Sequence, residues 1–206
     1  MLKLKALEKL NLTGQFLIAM PAMIDPCFSK TVTYICSHNQ DGAMGVIINR
    51  SADITVAKLF EQIHLETESQ AILKKTVHFG GPVQRERGFI LHNILPAPLE
   101  EFNSTLVIND TVALTTSKDI LEAVAENKAD QSNVPKKMLI ALGYAGWTAG
   151  QLEDELLQNA WLNLETTDAN QIHQLIFDTP NSEKFDRAMD LMGIDLASLS
   201  DVAGHA

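Results

Sequence analysis

The sequence predicts a mixed α/β fold in which β-hairpins come first and helices last. Short runs of β-branched and apolar residues, bounded by Gly, Pro, Asn and Asp, recur over residues 15–49 and 77–115. Apolar positions spaced three and four apart dominate residues 150–192. Strands and helices do not alternate in regular βαβ order, so a doubly wound dinucleotide fold is a poor fit. A chain of 206 residues with 46% hydrophobic content can bury a sizeable core. No linker rich in proline and glycine interrupts it, so the expectation is a single domain over residues 1–206.

In chain order, Gln15 to Met20 is a short strand, followed by a connection from Pro21 to Pro26 that discourages regular structure. Thr31 to Cys36 and Gly45 to Asn49 form a hairpin with His38 to Gly42 as its turn. Asp53 or Thr55 begins a helix whose apolar face is Ala57, Leu59, Phe60 and Ile63. Val77 to Phe79 is a strand ending at Gly80-Gly81-Pro82, and Gly88 to His92 is another. After a turn at Pro96 and Pro98, Thr105 to Ile108 and Val112 to Thr115 make a second hairpin through Asn109 and Asp110. Ser117 caps a helix over Lys118 to Asn127, with Ile120, Leu121 and Val124 facing inward. Lys137 to Leu142 is a strand, with Gly143-Tyr144-Ala145-Gly146-Trp147 following its end. Three helices close the chain: Gly150 to Ala160, Ala169 to Phe177, and Ser182 to Met192, the last stopped by Gly193.

Charge is unevenly distributed. The net charge is −10, and residues 148–206 hold 11 acidic and 2 basic side chains against 15 and 14 in residues 1–147. Clustered lysine and arginine supply most of the affinity for duplex nucleic acid. Such a cluster is absent here, although Arg85 with Arg87 or Lys136 with Lys137 could form a small local patch, so direct nucleic-acid binding is not expected. The lysine- and leucine-bearing start, Met1 to Leu12, never becomes continuously apolar, and Phe16 to Met20 is too short to span a membrane. Cys27 and Cys36 lack a C-x-x-C pattern and read as thiols, consistent with a cytoplasmic protein.

Two glycine-bearing loops stand out, His38 to Arg50 and His78 to Val83. Asp41-Gly42-Ala43-Met44-Gly45 lacks both the G-x-G-x-x-G fingerprint and a G-K-[ST] phosphate loop, so Gly42 reads as a turn residue. Gly80-Gly81 can expose amides to an anion, although a strand-to-turn bend needs only their freedom beside Pro82. His38, His78 and His92 lie near strand ends. If they converge, with Asp25 or Asp41, they have the donor chemistry for zinc or iron, but no ligand spacing supports it. Cys36 sits in an apolar run where burial raises the thiol pKa, the opposite of what a nucleophile needs. Ser29 and Ser37 have no nucleophile motif. Glu153, Asp154 and Glu155 read as the solvated start of a helix, and Trp147 and Trp161 as core or helix-docking residues.

The order of motifs resembles the AlgH/YqgE family. It is carried by Gly14 to Pro21 (GQFLIAMP), Asp25-Pro26 to Phe28, His38 with Gly42 to Arg50, and Phe79 to Val83. It continues through Gly88 to His92, Leu142 to Trp147, Gly150 to Glu155 and Gly204-His205-Ala206. The resemblance covers nearly the whole chain. It implies a bacterial cytoplasmic protein with coiled or bifurcated β-sheets and peripheral helices. It carries no assigned catalytic residues, and the regulatory role in the family name comes with no recognised DNA-binding motif. Thr148-Ala149 before Gly150 is slightly bulkier than the usual glycine pattern.

Three function classes follow. The preferred one is a non-enzymatic binding, adaptor or regulatory protein, with no cofactor or metal, that meets a protein or small anionic ligand through strand-end loops. Its candidate surface is His38, Asn49, Arg50, His78, Gly80, Gly81, Arg85 and His92. The alternatives are a hydrolase or metal-assisted enzyme using Asp25, His38, His78 and His92, and a direct DNA-binding regulator.

Overall fold

The computed structural model describes residues 10–95, 102–126 and 134–194. The Pro96 to Pro98 turn, most of the lysine-rich start, the end of the 118–127 helix, and Gly204-His205-Ala206 lie outside the described residues. Among the described residues ten strands make one hydrogen-bonded sheet: β1 (Phe16–Ala19), β2 (Val32–Asn39), β3 (Gly42–Ile47), β4 (Ser51–Thr55), β5 (Thr76–Phe79), β6 (Val83–Asn93), β7 (Thr105–Val107), β8 (Val112–Thr115), β9 (Met138–Thr148) and β10 (Trp161–Leu164). The helices are α1 (Val56–Gln62), α2 (Gln70–Leu73), α3 (Asp119–Ala125), α4 (Gln151–Leu157), α5 (Ala169–His173) and α6 (Lys184–Leu191), with a π-turn, Gln174–Asp178, continuing α5.

The main path of the curled sheet runs β10-β1-β2-β3-β9-β6-β8-β7, and every pair along it is antiparallel. The eleven-residue β9 is where it divides. Ala145–Thr148 pairs with β3, whereas Ile140–Leu142 pairs in parallel with β5, which carries β4 on its far side. The division falls at Gly143, whose φ is +73°.

Period-two alternation sorts the side chains into separate cores. Phe89, Leu91, Leu139 and Ala141 point to one core, shared with Phe16, Tyr34 and the apolar stripe of α5, the π-turn and α6. Ile90, Met138 and Ile140 point the other way, under α1, α2 and α3. In β1, Phe16 and Ile18 join the first core while Leu17 and Ala19 join a third with Trp147, Trp161 and Leu152. A strand covered on both faces reads as an unbroken apolar run.

Several elements differ from the sequence reading. The turn of the first hairpin is shorter than His38 to Gly42: β2 runs to Asn39 and β3 starts at Gly42, so His38 is a strand residue. The strand expected to end at Leu142 continues through Gly143 to Trp147 as the second half of β9, and β6 begins at Val83 rather than Gly88. Ser51–Thr55 forms an edge strand with little apolar content; of the two expected helix starts Asp53 lies in this strand and Thr55 is the cap, its hydroxyl accepting from the Lys58 N–H at 3.2 Å. The 169–177 helix turns into a π-turn after His173.

The acidic start of α4 is not simply solvated. Glu153 Oε1 faces His38 Nε2 at 3.0 Å, and Glu155 Oε2 accepts from both indole N–H groups, Trp147 and Trp161, at 2.8 Å each. Phe28 packs on both indoles, tying the 20–30 loop to this cluster. Glu155→Ala leaves two buried donors without an acceptor and is expected to destabilise the fold by about 2–3 kcal/mol. Urea unfolding followed by the fluorescence of the two tryptophans measures this, and a loss below about 0.5 kcal/mol, the range of neutral surface changes, contradicts it.

Candidate functional site

The three strand-end histidines are held apart. His38 accepts the Leu12 N–H on Nδ1 at 3.1 Å, which leaves Nε2–H to donate to Glu153. On β6, His92 alternates with the core-facing Phe89 and Leu91, so it lies on the opposite face, with Nδ1 against the Asn93 carbonyl and Nε2 against the Thr115 hydroxyl, both at 2.9 Å. His78 alternates with Val77 of the second core, which turns it toward the first. Its ring nitrogens meet the Ile140 carbonyl at 3.3 Å and Asn181 Oδ1 at 3.0 Å. Each imidazole thus has its own local partners, and among the described residues no three His, Cys, Asp or Glu side chains are grouped to hold a metal ion. Among the described residues, Asp25, His38, His78 and His92 are therefore not grouped as a metal site.

Asn49 and the glycine pair act on backbone. Asn49 accepts the Val32 N–H and donates to the Lys30 carbonyl, both at 2.9 Å, extending the strand ladder through a side chain. Gly80 donates to the Leu142 carbonyl and accepts from the Ile47 N–H, so its amide is not turned to a ligand. A Cβ on Gly80 would lie 2.2 Å from the Gly143 carbonyl oxygen, and one on Gly81 2.1 Å from the Tyr144 carbonyl carbon. The pair exists so that two backbones can cross where the sheet divides.

Arg50 and Arg85 do come together, lining one cavity of ≈ 470 Å³ with Cys27, Ser51, Asp53 and Phe79. Arg50 donates to the Pro26 and Ser29 carbonyls at 2.5 and 2.6 Å, pinning the loop before β2. Arg85 stacks over the Phe79 ring at 5.5 Å. Among the described residues neither guanidinium has a carboxylate in ion-pair range. Of the other basic pairs, Lys137 is matched by Asp178 at 2.5 Å, and Arg87 donates to the Thr116 hydroxyl at 3.1 Å. Cys36 is fully buried, and burial pushes its thiol well above the ordinary value.

A second, larger cleft of ≈ 640 Å³ lies between β4, β5, the start of β9 and the segment joining the π-turn to α6. His78, Asn181 and Ser51 form one wall, with Asn181 Nδ2 reaching the Ser51 hydroxyl at 3.3 Å. Lys184 lies in another and is 2% exposed, its Nζ donating to the Ile48 and Ile176 carbonyls at 2.7 and 2.8 Å. Burial pushes the Lys184 pKa down to about 7, and burial next to Lys184 pushes His78 down to about 4. Sequence reasoning does not single out Lys184. Its signal is a lysine in line with Ala188 and Leu191, four and seven residues on, along the inward stripe of the last helix.

The AlgH-like family model matches residues 16–197. The chain belongs to the AlgH-like family. The UPF0301 protein of Thiobacillus denitrificans is 52% identical over 200 residues, covering 97% of this chain and all of its own. UPF0301 protein azo3459 of Azoarcus sp. is 50% identical over 196 residues, 95% of this chain and 97% of that one. The solution structure of AlgH from Pseudomonas aeruginosa superposes with a TM-score of 0.72 at 42% identity, over 96% of this chain and 97% of that one. Protein DIP2367 of Corynebacterium diphtheriae shares the fold at 18% identity, with a TM-score of 0.61 over 91% of this chain and 89% of its own. The two solved structures share this chain's fold, and among its described residues no helix is long and apolar enough to cross a membrane.

Proposed function

We propose that this protein is a non-enzymatic, cytoplasmic binding protein that captures an anionic group, on a small molecule or a protein partner, in the cavity lined by Arg50 and Arg85. The observation that supports this is the pairing, on one concave surface, of two guanidinium groups that have no carboxylate partner among the described residues. Arg50 uses two of its five N–H donors on the loop before β2 and keeps its full charge. Stacking on Phe79 pre-orients the Arg85 fork, which favours bidentate contact with a carboxylate or phosphate. Asp53, on the same cavity, disfavours ligands of high negative charge.

Arg85 is exposed and clear of the backbone bonds that Arg50 makes, so Arg85→Ala is expected to leave the fold intact. Titrating isotope-labelled protein with inorganic phosphate is expected to give saturable shifts at Ser51, Phe79 and Arg85. Arg85→Ala is expected to weaken that binding about tenfold, the effect of losing one charge-assisted contact of ~1.4 kcal/mol. Quantitative capture from the source cell's lysate is expected to fall in parallel with Arg85→Glu. Unchanged capture together with no saturable phosphate shift overturns the assignment.

A further inference from the structure

Lys184 is a buried titratable group that the Arg50 and Arg85 cavity does not use. A neutral amine has two N–H donors, and here two main-chain carbonyls accept them. The protonated form adds a third donor and a full charge, for which no carboxylate lies in ion-pair range among the described residues. The charged or titratable groups on the cleft besides Lys184 are His78 on β5, Lys75 just before it, and Asp178 at the end of the π-turn, the last already paired with Lys137. The stretches of β4 and β9 that line the cleft contribute Ser51, Met138, Leu139 and Ile140, none of them titratable. The charge on Lys184 is thus left for something entering the cleft to balance.

We propose that this cleft is a second ligand site, for a small organic acid whose carboxylate pairs with Lys184 and accepts hydrogen bonds from the Asn181 side-chain amide and the Ser51 hydroxyl on the wall they form with His78. A monoanion fits the charges present. Lys184 supplies the balancing charge inside the cleft, where the other lysine, Lys75, is exposed, and Asp178 at the rim repels a second negative group. The hydroxyl groups of Ser51, Thr76, Thr179 and Ser182 suit a ligand with polar substituents.

Because the bound carboxylate favours the ammonium form, binding takes up a proton wherever Lys184 is neutral in the free protein. Affinity is therefore constant below about pH 7, where Lys184 is already charged, and falls by up to tenfold per pH unit above it. The ligand's own carboxylate stays ionised throughout that range, so the slope belongs to the protein.

The test is a titration of isotope-labelled protein with sodium L-lactate and with sodium butyrate, at matched ionic strength, below and above neutrality. The expected result is saturable shifts at His78, Lys184 and the Asn181 side-chain amide, with a Kd on the order of millimolar at low pH. Affinity is expected to weaken above pH 7, with proton uptake seen calorimetrically in two buffers of different ionisation enthalpy. Lys184→Met is expected to reduce binding at least tenfold, and Asn181→Ala about threefold. If Lys184→Met fails to fold, the wild-type pH profile and Asn181→Ala decide. Saturable shifts absent from these residues with both acids, or affinity equal on the two sides of neutrality, overturn the proposal. So do shifts that cluster on Phe79 and Arg85, an outcome that supports the guanidinium cavity instead.

Discussion

Gly81→Ala is expected to cost more than about 4 kcal/mol, enough to unfold a domain of ordinary stability. Gly81 has φ +152°, which side-chain-bearing residues rarely adopt, and a Cβ there would meet Tyr144 backbone atoms at 2.1 and 2.2 Å. Those atoms belong to β9 at the point where the sheet divides, and relieving the clash means separating β5 from β9 or β6 from β9. Gly150 supplies the control. Its φ is +77°, but a Cβ added there would have nothing within 4 Å, so Gly150→Ala carries only left-handed backbone strain of roughly 1–2 kcal/mol. Urea unfolding of both variants separates the two effects. Equal losses at the two positions show that the crossing relaxes around an added methyl group.

That crossing also explains how far the fold is legible in the sequence. Strands buried on both faces, such as β1 and β2, announce themselves as apolar runs, and the caps at Thr55 and Gly193 as local chemistry. Gly143-Tyr144-Ala145-Gly146-Trp147 reads as following the end of a strand at Leu142, because glycine weakens a strand in isolation. In the folded protein Gly143 sits in β9 because the Gly81 and Val83 carbonyls come too close for a side chain, and a Cβ on Gly146 would lie 3.1 Å from the Tyr144 ring. The strand β10 is hidden differently. Its four residues gain their pairing from β1, nearly 150 positions earlier, as in the Phe16 to Leu164 register, and no local pattern records such a partner.

The candidate sites divide along the same line. Arg50 and Arg85 are identifiable as unattached charges beside glycine-rich loops, and the fold brings them to one cavity. The polar ends of Asn49 and His38 instead complete the backbone ladder and a helix contact, roles that depend on distant partners. The cleft at Lys184 needs a specific question of the sequence, namely why a lysine occupies the inward stripe of an amphipathic helix. Its other members, Ser51, His78 and Asn181, come from segments with no sequence relation to one another.

The cleft also predicts how stability follows pH. His78 is pushed down to about 4 in the folded protein, mainly by burial and then by Lys184, while in the unfolded chain it titrates near 6.5. Between those values the unfolded chain holds the extra proton, so the contribution of His78 is fully present above pH 6.5 and is lost as pH falls toward 4. The slope is about 1.4 kcal/mol per pH unit. His92, lowered by burial, acts in the same direction. Wild-type protein is therefore expected to lose about 2 kcal/mol more than His78→Gln between about pH 7 and about pH 5 in urea unfolding. Equal losses in the two proteins place the His78 titration near its ordinary value and remove this link between the cleft and acid stability. Lys184 gives the alkaline counterpart. Its folded value of about 7 lies below the ordinary 10.5, so stability is expected to rise with pH across that interval, and Lys184→Met is expected to flatten the rise without altering the acid slope due to His92.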